Sequence, residues 1–230
     1  MHILLTDVLT CPRCGPDFGL VLLAREIRDR RVLEGVLGCA NCREEYPVTE
    51  GFADLRFPPG NAHPGSADSP TAGGEKAFEP VRLAALLGVT EGPALLLIQG
   101  PASRSAEGVA ELLDDVEIAA VASGGASRGE ARGVSRMAAG SRLPFRSEVL
   151  RGAFLSGEVR IGDVEEAARV VAPGARVAVA PAPGGIRDSL EAAGLDILVE
   201  EDEAVVAEKG PSRGSPLVPL RGPDGKPTLP

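Results

Sequence analysis

Histidine and cysteine are scarce in this chain of 230 residues, and both are confined to its first part: four cysteines (Cys11, Cys14, Cys39, Cys42) and two histidines (His2, His63). Past residue 63 there is neither, which removes every His- or Cys-based nucleophilic mechanism from the larger part of the sequence. Long apolar runs are missing as well. None approaches the ~20 residues of a membrane helix, and Ile3-Leu4-Leu5 is too short, with no positive segment before it, for a secretory signal. A cytoplasmic location is therefore expected. Positive charge is also in deficit: 24 Lys and Arg stand against 33 Asp and Glu, a formal net charge of −9. A general nucleic-acid binder normally carries a basic face, so direct binding of nucleic acid is not expected. Only Arg25, Arg28, Arg30 and Arg31, around Glu26 and Asp29, form a basic cluster, which reads as a solvated hairpin.

The four cysteines fall in two pairs, Cys11-Pro12-Arg13-Cys14 and Cys39-Ala40-Asn41-Cys42. Two residues between cysteines let both sulfurs of a pair reach one ion from a single tight turn, and two such turns complete a tetrahedral four-thiolate site. Gly15 stands where the turn needs a residue tolerant of positive φ, and Pro12 fixes the backbone inside it. Disulfides do not suit a reducing compartment. A redox Cys-x-x-Cys needs one pair beside a βαβ unit. Iron can fill such a site, but closed structural Zn2+ is the preferred reading, with no open position for catalysis.

Apolar β-prone stretches at Leu20 to Ala24 and Val32 to Leu37 predict a hairpin between the pairs, and His2 to Leu9 a short helix or turn. Residues 1–58 are expected to form a small zinc module that depends on its metal for folding. Residues 59–77, rich in Gly, Pro, Ser, Ala and Asn, read as a flexible linker that includes a solvated His63. From Phe78 strands and helices alternate. Helices are predicted at 78–87, 105–114, 164–171 and through Ala193. Strands are predicted at 94–98, 117–122, 133–138 (a weak edge strand), 149–155 and 176–180, with an antiparallel closing pair at 197–200 and 204–207. That alternation implies an α/β fold with a doubly wound sheet over residues 78–209. Residues 210–230 read as a disordered tail.

Cys-Pro-x-Cys, a hairpin, Cys-x-x-Cys, then Tyr46-Pro47-Val48 and Gly51 resemble the small zinc-ribbon activators of tRNA, rRNA and protein methyltransferases. The resemblance covers about the first quarter of the chain. It departs at Phe52-Ala53-Asp54, where the family has Ile-Pro before the final aliphatic residue. It implies a ribbon that binds a methyltransferase and adds a strand to its sheet edge.

The α/β part resembles the Rossmann-like class I S-adenosylmethionine-dependent methyltransferases. The likeness rests on Leu143-Pro144-Phe145 before a strand, on the helix and Pro173-Gly174 turn before Arg176, and on Ala193-Gly194-Leu195. The cofactor positions that this resemblance implies have lost their chemistry. The Gly-x-Gly-x-Gly loop is replaced by Gln99-Gly100-Pro101-Ala102-Ser103, and Pro101 removes an amide donor. The second strand runs into Ser123 where a carboxylate is expected, and Ala139 stands in place of an Asp. A fold without its site does not license the function. Asp114-Asp115 and Glu200-Glu201 read as solvated charge, so no catalytic residue is assigned.

Two hypotheses follow. In the first, the chain is a non-catalytic partner or scaffold, a zinc ribbon fused to a degenerate methyltransferase-like domain, with S-adenosylmethionine not expected to bind. In the alternative, it is an active methyltransferase with its activator in cis. The partner is either the chain's own α/β domain or a separate methyltransferase. In cis, the ribbon is expected to cover the strand at 133–138 with Tyr46, Val48 and Phe52 near the contact, the two parts keeping separate cores. Two independent domains on a string are the other arrangement.

Overall fold

The structure, a computed structural model, describes residues 1–58, 78–122, 131–201 and 203–211. The expected linker at 59–77 with His63, the turn containing Ser123, and nearly all of the expected tail lie outside the described residues.

After a 3-10 turn at Ile3–Asp7 come β1 (Thr10–Cys11), β2 (Gly15–Gly19), β3 (Val21–Arg28), β4 (Arg31–Gly38), β5 (Glu45–Thr49) and β6 (Phe52–Leu55). The second part holds α1 (Pro80–Leu87), β7 (Ala94–Gln99), α2 (Ala106–Leu112), β8 (Val116–Val121), β9 (Val134–Ala139), β10 (Leu150–Leu155) and α3 (Ile161–Val170). It ends with β11 (Val171–Val179), α4 (Ile186–Ala192), β12 (Leu195–Glu201) and β13 (Ala204–Lys209). β1 and β2 form a small sheet, while the other strands form one 11-stranded sheet in the order β12-β13-β11-β10-β7-β8-β9-β6-β5-β4-β3.

The half from β12 to β9 is a doubly wound α/β sheet. Its strands β9, β8, β7, β10 and β11 run parallel, with β13 antiparallel beside β11. Successive strand residues alternate faces. Leu96, Ile98, Ile118, Phe154 and Val206 pack with Leu83 and Leu87 of α1 and Val109 of α2. Leu97, Ala119, Met137, Leu155 and Val177 belong to the opposite cluster, with Val164 of α3 and Leu190 of α4. A strand buried on both faces needs a continuous apolar run, and Leu96-Leu97-Ile98 supplies it. β11 begins five residues earlier than expected. Its register against β10 jumps from Leu150–Val171 to Gly152–Arg176, so Pro173-Gly174 lies in an irregularity within the strand instead of ahead of it.

β9 does not lie at an edge. β6 pairs with it in parallel, Ala53 opposite Met137, Asp54 opposite Ala138 and Leu55 opposite Ala139, and β5, β4 and β3 continue the sheet outward. The contact is made by Ala53 to Leu55. Tyr46 and Val48 sit one strand further out on β5, and Phe52 pairs with Thr49.

The expectation of separate cores is overturned. One apolar cluster runs from Leu5, Leu9, Tyr46 and Leu55 through Leu97, Met137 and Phe145 to Val164 and Val177. The reason lies between β9 and β10, where residues 140–149 cross back without a helix. Ribbon residues fill that part of the cluster. Leu9 forms a β-bridge with Phe145, flanked by the Thr10 N–H donating to the Pro144 carbonyl (2.9 Å) and the Arg146 N–H to the Val8 carbonyl (2.9 Å).

The basic hairpin is solvated at Arg25, Arg28 and Arg30, but not at Arg31. The Arg31 guanidinium is buried and donates two bonds to Glu117 on β8, at 2.6 and 2.8 Å, and one to the Val134 carbonyl at 3.0 Å. The Ser135 hydroxyl donates to Glu117 at 2.6 Å and accepts from the His2 backbone N–H at 2.7 Å. Removing one member of a buried, bidentate pair leaves the other charge uncompensated. Arg31→Met is therefore expected to lower stability by about 3 kcal/mol in urea unfolding, with Arg31→Met/Glu117→Leu recovering most of that loss. An unchanged midpoint for Arg31→Met would show that this pair contributes nothing to docking.

Candidate functional site

The four cysteine sulfurs lie within 4.8 Å of one another, with Cys11 and Cys39 buried and Cys14 and Cys42 half-buried. Local chemistry brings them there. The Cys14 backbone N–H points at the Cys11 sulfur (3.4 Å) from the first turn, and Gly15 follows at φ 96°. In the second turn the Arg43 N–H donates to the Cys39 carbonyl (2.9 Å) and the Cys39 N–H to the Glu44 carbonyl (3.0 Å). Arg13 of the first turn reaches Glu44 at 2.9 Å, tying the turns together.

A tetrahedral site with metal–sulfur bonds of about 2.3 Å has sulfur–sulfur edges of about 3.8 Å. The Cys11–Cys42 separation is 3.7 Å and the Cys14–Cys39 separation 3.9 Å. The donor set therefore fits a four-coordinate cation that favours thiolates, and it is closed. Outer contacts complete it: the Asn41 side-chain amide is 3.3 Å from the Cys14 sulfur, and the buried Tyr46 hydroxyl is 3.5 Å from that of Cys11. Burial raises the Cys11 thiol, but the Tyr46 hydroxyl and the Cys14 and Arg13 backbone N–H groups outweigh it and hold the group at about 7. Cys42 is pushed up to about 12, first by desolvation and then by the thiols of Cys14, Cys39 and Cys11. Thiolates held this close repel one another, a conflict that a bound dication removes.

The second expected site lies at the carboxyl ends of β7 and β10, where the sheet's winding reverses and a doubly wound fold opens its ligand crevice. Here that crevice is bridged. Ser156, just past β10, donates its hydroxyl to the Gln99 carbonyl (2.7 Å) and accepts from the Ala102 N–H (2.9 Å). Its own N–H donates to the same Gln99 carbonyl (3.1 Å). Gly100 has φ 81°, and a Cβ there would lie 2.1 Å from the Ser156 carbonyl oxygen. Only glycine fits at that approach.

The loop then coils into a 3-10 helix, Gly100–Ser105, with Gly100 and Ala102 buried. In this loop Pro101 has no amide hydrogen to offer, and that of Ala102 is taken by Ser156. Ala139 closes β9 without a carboxylate, and Ser123 lies outside the described residues. The side-chain oxygen of Gln99 is buried with no hydrogen-bond partner among the described residues. Asp114, Asp115, Glu200 and Glu201 are exposed, and Glu200 pairs with Arg187 at 2.6 Å. Ser156 was not identified from sequence. A serine after an apolar strand carries no mark of a partner 57 residues away.

No protein-family model and no curated protein sequence matches the chain. Among solved structures it is similar to the (4+2)-cyclase SpnF, at 15% identity and TM-score 0.45, over 58% of this chain and 80% of that one. It is also similar to a chain from the complex of the Haloferax volcanii Trm112 methyltransferase activator, at 13% identity and TM-score 0.46, over 57% and 89%. A third is a TehB-like SAM-dependent methyltransferase from Corynebacterium glutamicum, at 13% identity and TM-score 0.44, over 60% and 90%. No helix among the described residues is long and apolar enough to cross a membrane.

If the cluster holds a structural cation, elemental analysis of the purified chain will find one per molecule, and a strong chelator will remove it with loss of ribbon structure. Cys39→Ala should abolish that metal. Because Cys39 shares its cluster with Met137 and Phe145, the whole chain should then melt in one transition at lower temperature. An upper transition left in place would show that ribbon and sheet unfold independently.

Proposed function

We propose that this chain is a non-catalytic, zinc-binding scaffold: a methyltransferase-activator-like ribbon docked in cis on a methyltransferase-like sheet whose cofactor cleft is shut. Cys11, Cys14, Cys39 and Cys42 hold the zinc, which fixes the two turns and has no open coordination position. The observation that carries the reading is Ser156. Its hydroxyl takes the Ala102 amide and binds the Gln99 carbonyl, using the groups a nucleotide-like ligand would meet first. The parallel pairing of β6 with β9 supports the activator-like role, because it extends the sheet of the α/β part by a ribbon strand.

One feature favours the alternative of an active S-adenosylmethionine-dependent methyltransferase with its activator in cis. The orphaned Gln99 oxygen is a buried acceptor at the carboxyl end of β7, without a donor among the described residues, and such groups call for an explanation. Calorimetric titration separates the two. The non-catalytic reading expects no S-adenosylmethionine binding tighter than ~100 μM, a free energy weaker than about −5.5 kcal/mol. A low-micromolar dissociation constant, or methyl transfer to RNA, protein or a small molecule, would establish the enzyme instead.

A further inference from the structure

The α/β part delivers a charge to the metal end of the ribbon. Arg142 and Arg146 flank Leu143-Pro144-Phe145, and each guanidinium lies over a glycine at one end of β2. A Cβ on Gly15 would be 2.7 Å from the Arg142 Nη1, and one on Gly19 would be 3.4 Å from the Arg146 Nη2. Gly15 directly follows Cys14, so the Arg142 guanidinium rests on the first cysteine turn.

The loop that carries it is fixed from both sides. From α3, Glu166 accepts the Leu143 N–H at 2.8 Å, while Arg169 donates to the carbonyls of Phe145 at 2.7 Å and Leu143 at 2.9 Å. Glu166 and Arg169 are themselves paired at 2.7 Å. From the ribbon, Val8 and Thr10 hydrogen-bond the same loop, and Thr10 leads straight into Cys11.

Four thiolates around a divalent cation leave a net double negative charge. Arg13 offers little against it, because its guanidinium is already paired with Glu44. No carboxylate among the described residues pairs with Arg142. Arg142 is exposed and Cys14 half-buried, and Coulomb attraction between charges near a protein surface is several times stronger than in bulk water. The bare Cα of Gly15 lets the guanidinium come closer than any side chain there would allow.

We propose that Arg142 is the counter-charge of the metal centre, supplied by the α/β part across the docking interface, so that metal affinity and docking are coupled. This rests on the reading of the four cysteines as a zinc site. It goes beyond that reading by assigning a positioning residue outside the ribbon. Linkage makes the coupling reciprocal: whatever factor the docked Arg142 adds to metal affinity, the bound metal adds to docking.

The test uses the full-length chain with zinc and cobalt(II) as probes. Wild type and Arg142→Gln should both take up one ion and give the absorption of a tetrahedral four-thiolate cobalt site. Arg142→Gln should then lose zinc to a competing chelator with an affinity lower by about 10-fold, the scale of outer-shell changes at metal sites. Arg142→Lys, which keeps the charge, should recover most of the loss. Arg146→Gln, whose guanidinium sits at the far end of β2, should match wild type. The difference between wild type and Arg142→Gln should shrink in concentrated salt. Equal zinc affinity of Arg142→Gln and wild type overturns the proposal, and so does an equal loss in Arg146→Gln. Absence of the cobalt signature in wild type overturns the metal reading itself.

Discussion

An exposed parallel strand is an unfinished structure, because one side of its backbone has nothing to bond to. β9 poses this problem sharply. Val134-Ser135-Arg136-Met137-Ala138-Ala139 has few of the β-branched and aromatic residues that hold a strand by packing alone. The chain's solution is β6, whose Ala53 to Leu55 run alongside, with Ala53 and Leu55 buried in the process. Once β6 is in place, the ribbon's other strands must continue the sheet. The missing crossover helix between β9 and β10 leaves a concavity that Leu5, Leu9 and Phe145 help to fill. The buried Arg31–Glu117 pair then adds register, because Arg31, at the start of β4, reaches Glu117 of β8 with both bonds at one offset only.

What could be read from the sequence was what depends on near neighbours. The cysteine turns are set by four-residue segments, and the sulfurs meet as their spacing required. The ribbon hairpin and the strands β7, β8 and β10 were legible for the same reason, since period and apolar runs are local signals. Features that depend on distant partners were hidden. Arg31 looked like one more solvated arginine because Glu117 lies 86 residues away. The shared core was missed because a Gly- and Pro-rich segment at 59–77 suggested independence. A linker's composition reports its own stiffness, not whether the parts it joins are packed together. The loop after β7 was partly legible. Its single glycine and its Pro101 showed in the residues, while its hydrogen-bonding partner, Ser156, did not.

The cleft and the docking edge lie at opposite ends of the same argument about backbone groups. Buried amides and carbonyls must find partners. In a ligand-binding doubly wound sheet, the loop at the switch point leaves amides free so that the ligand completes them. Here the Ser156 hydroxyl takes one of them, that of Ala102, from within, and β6 takes up the free side of β9 in the same way. At both places a backbone group that an outside partner could meet is met by the chain itself.

The shared core and the β6–β9 pairing separate this arrangement from a freely exchanging pair of modules. A tether alone raises the local concentration of a module to roughly the millimolar range, which would favour docking yet let the ribbon leave. An interface that opens must do so without exposing core. Separation here would uncover Leu9, Tyr46, Leu55, Met137 and Phe145, each almost wholly buried, and would break the Arg31–Glu117 pair. At about 1.5–3 kcal/mol for each large apolar side chain returned to water, opening costs as much as unfolding a small domain. β6 is committed to β9. Any partner in trans must therefore meet a different surface of the ribbon, or the doubly wound sheet itself.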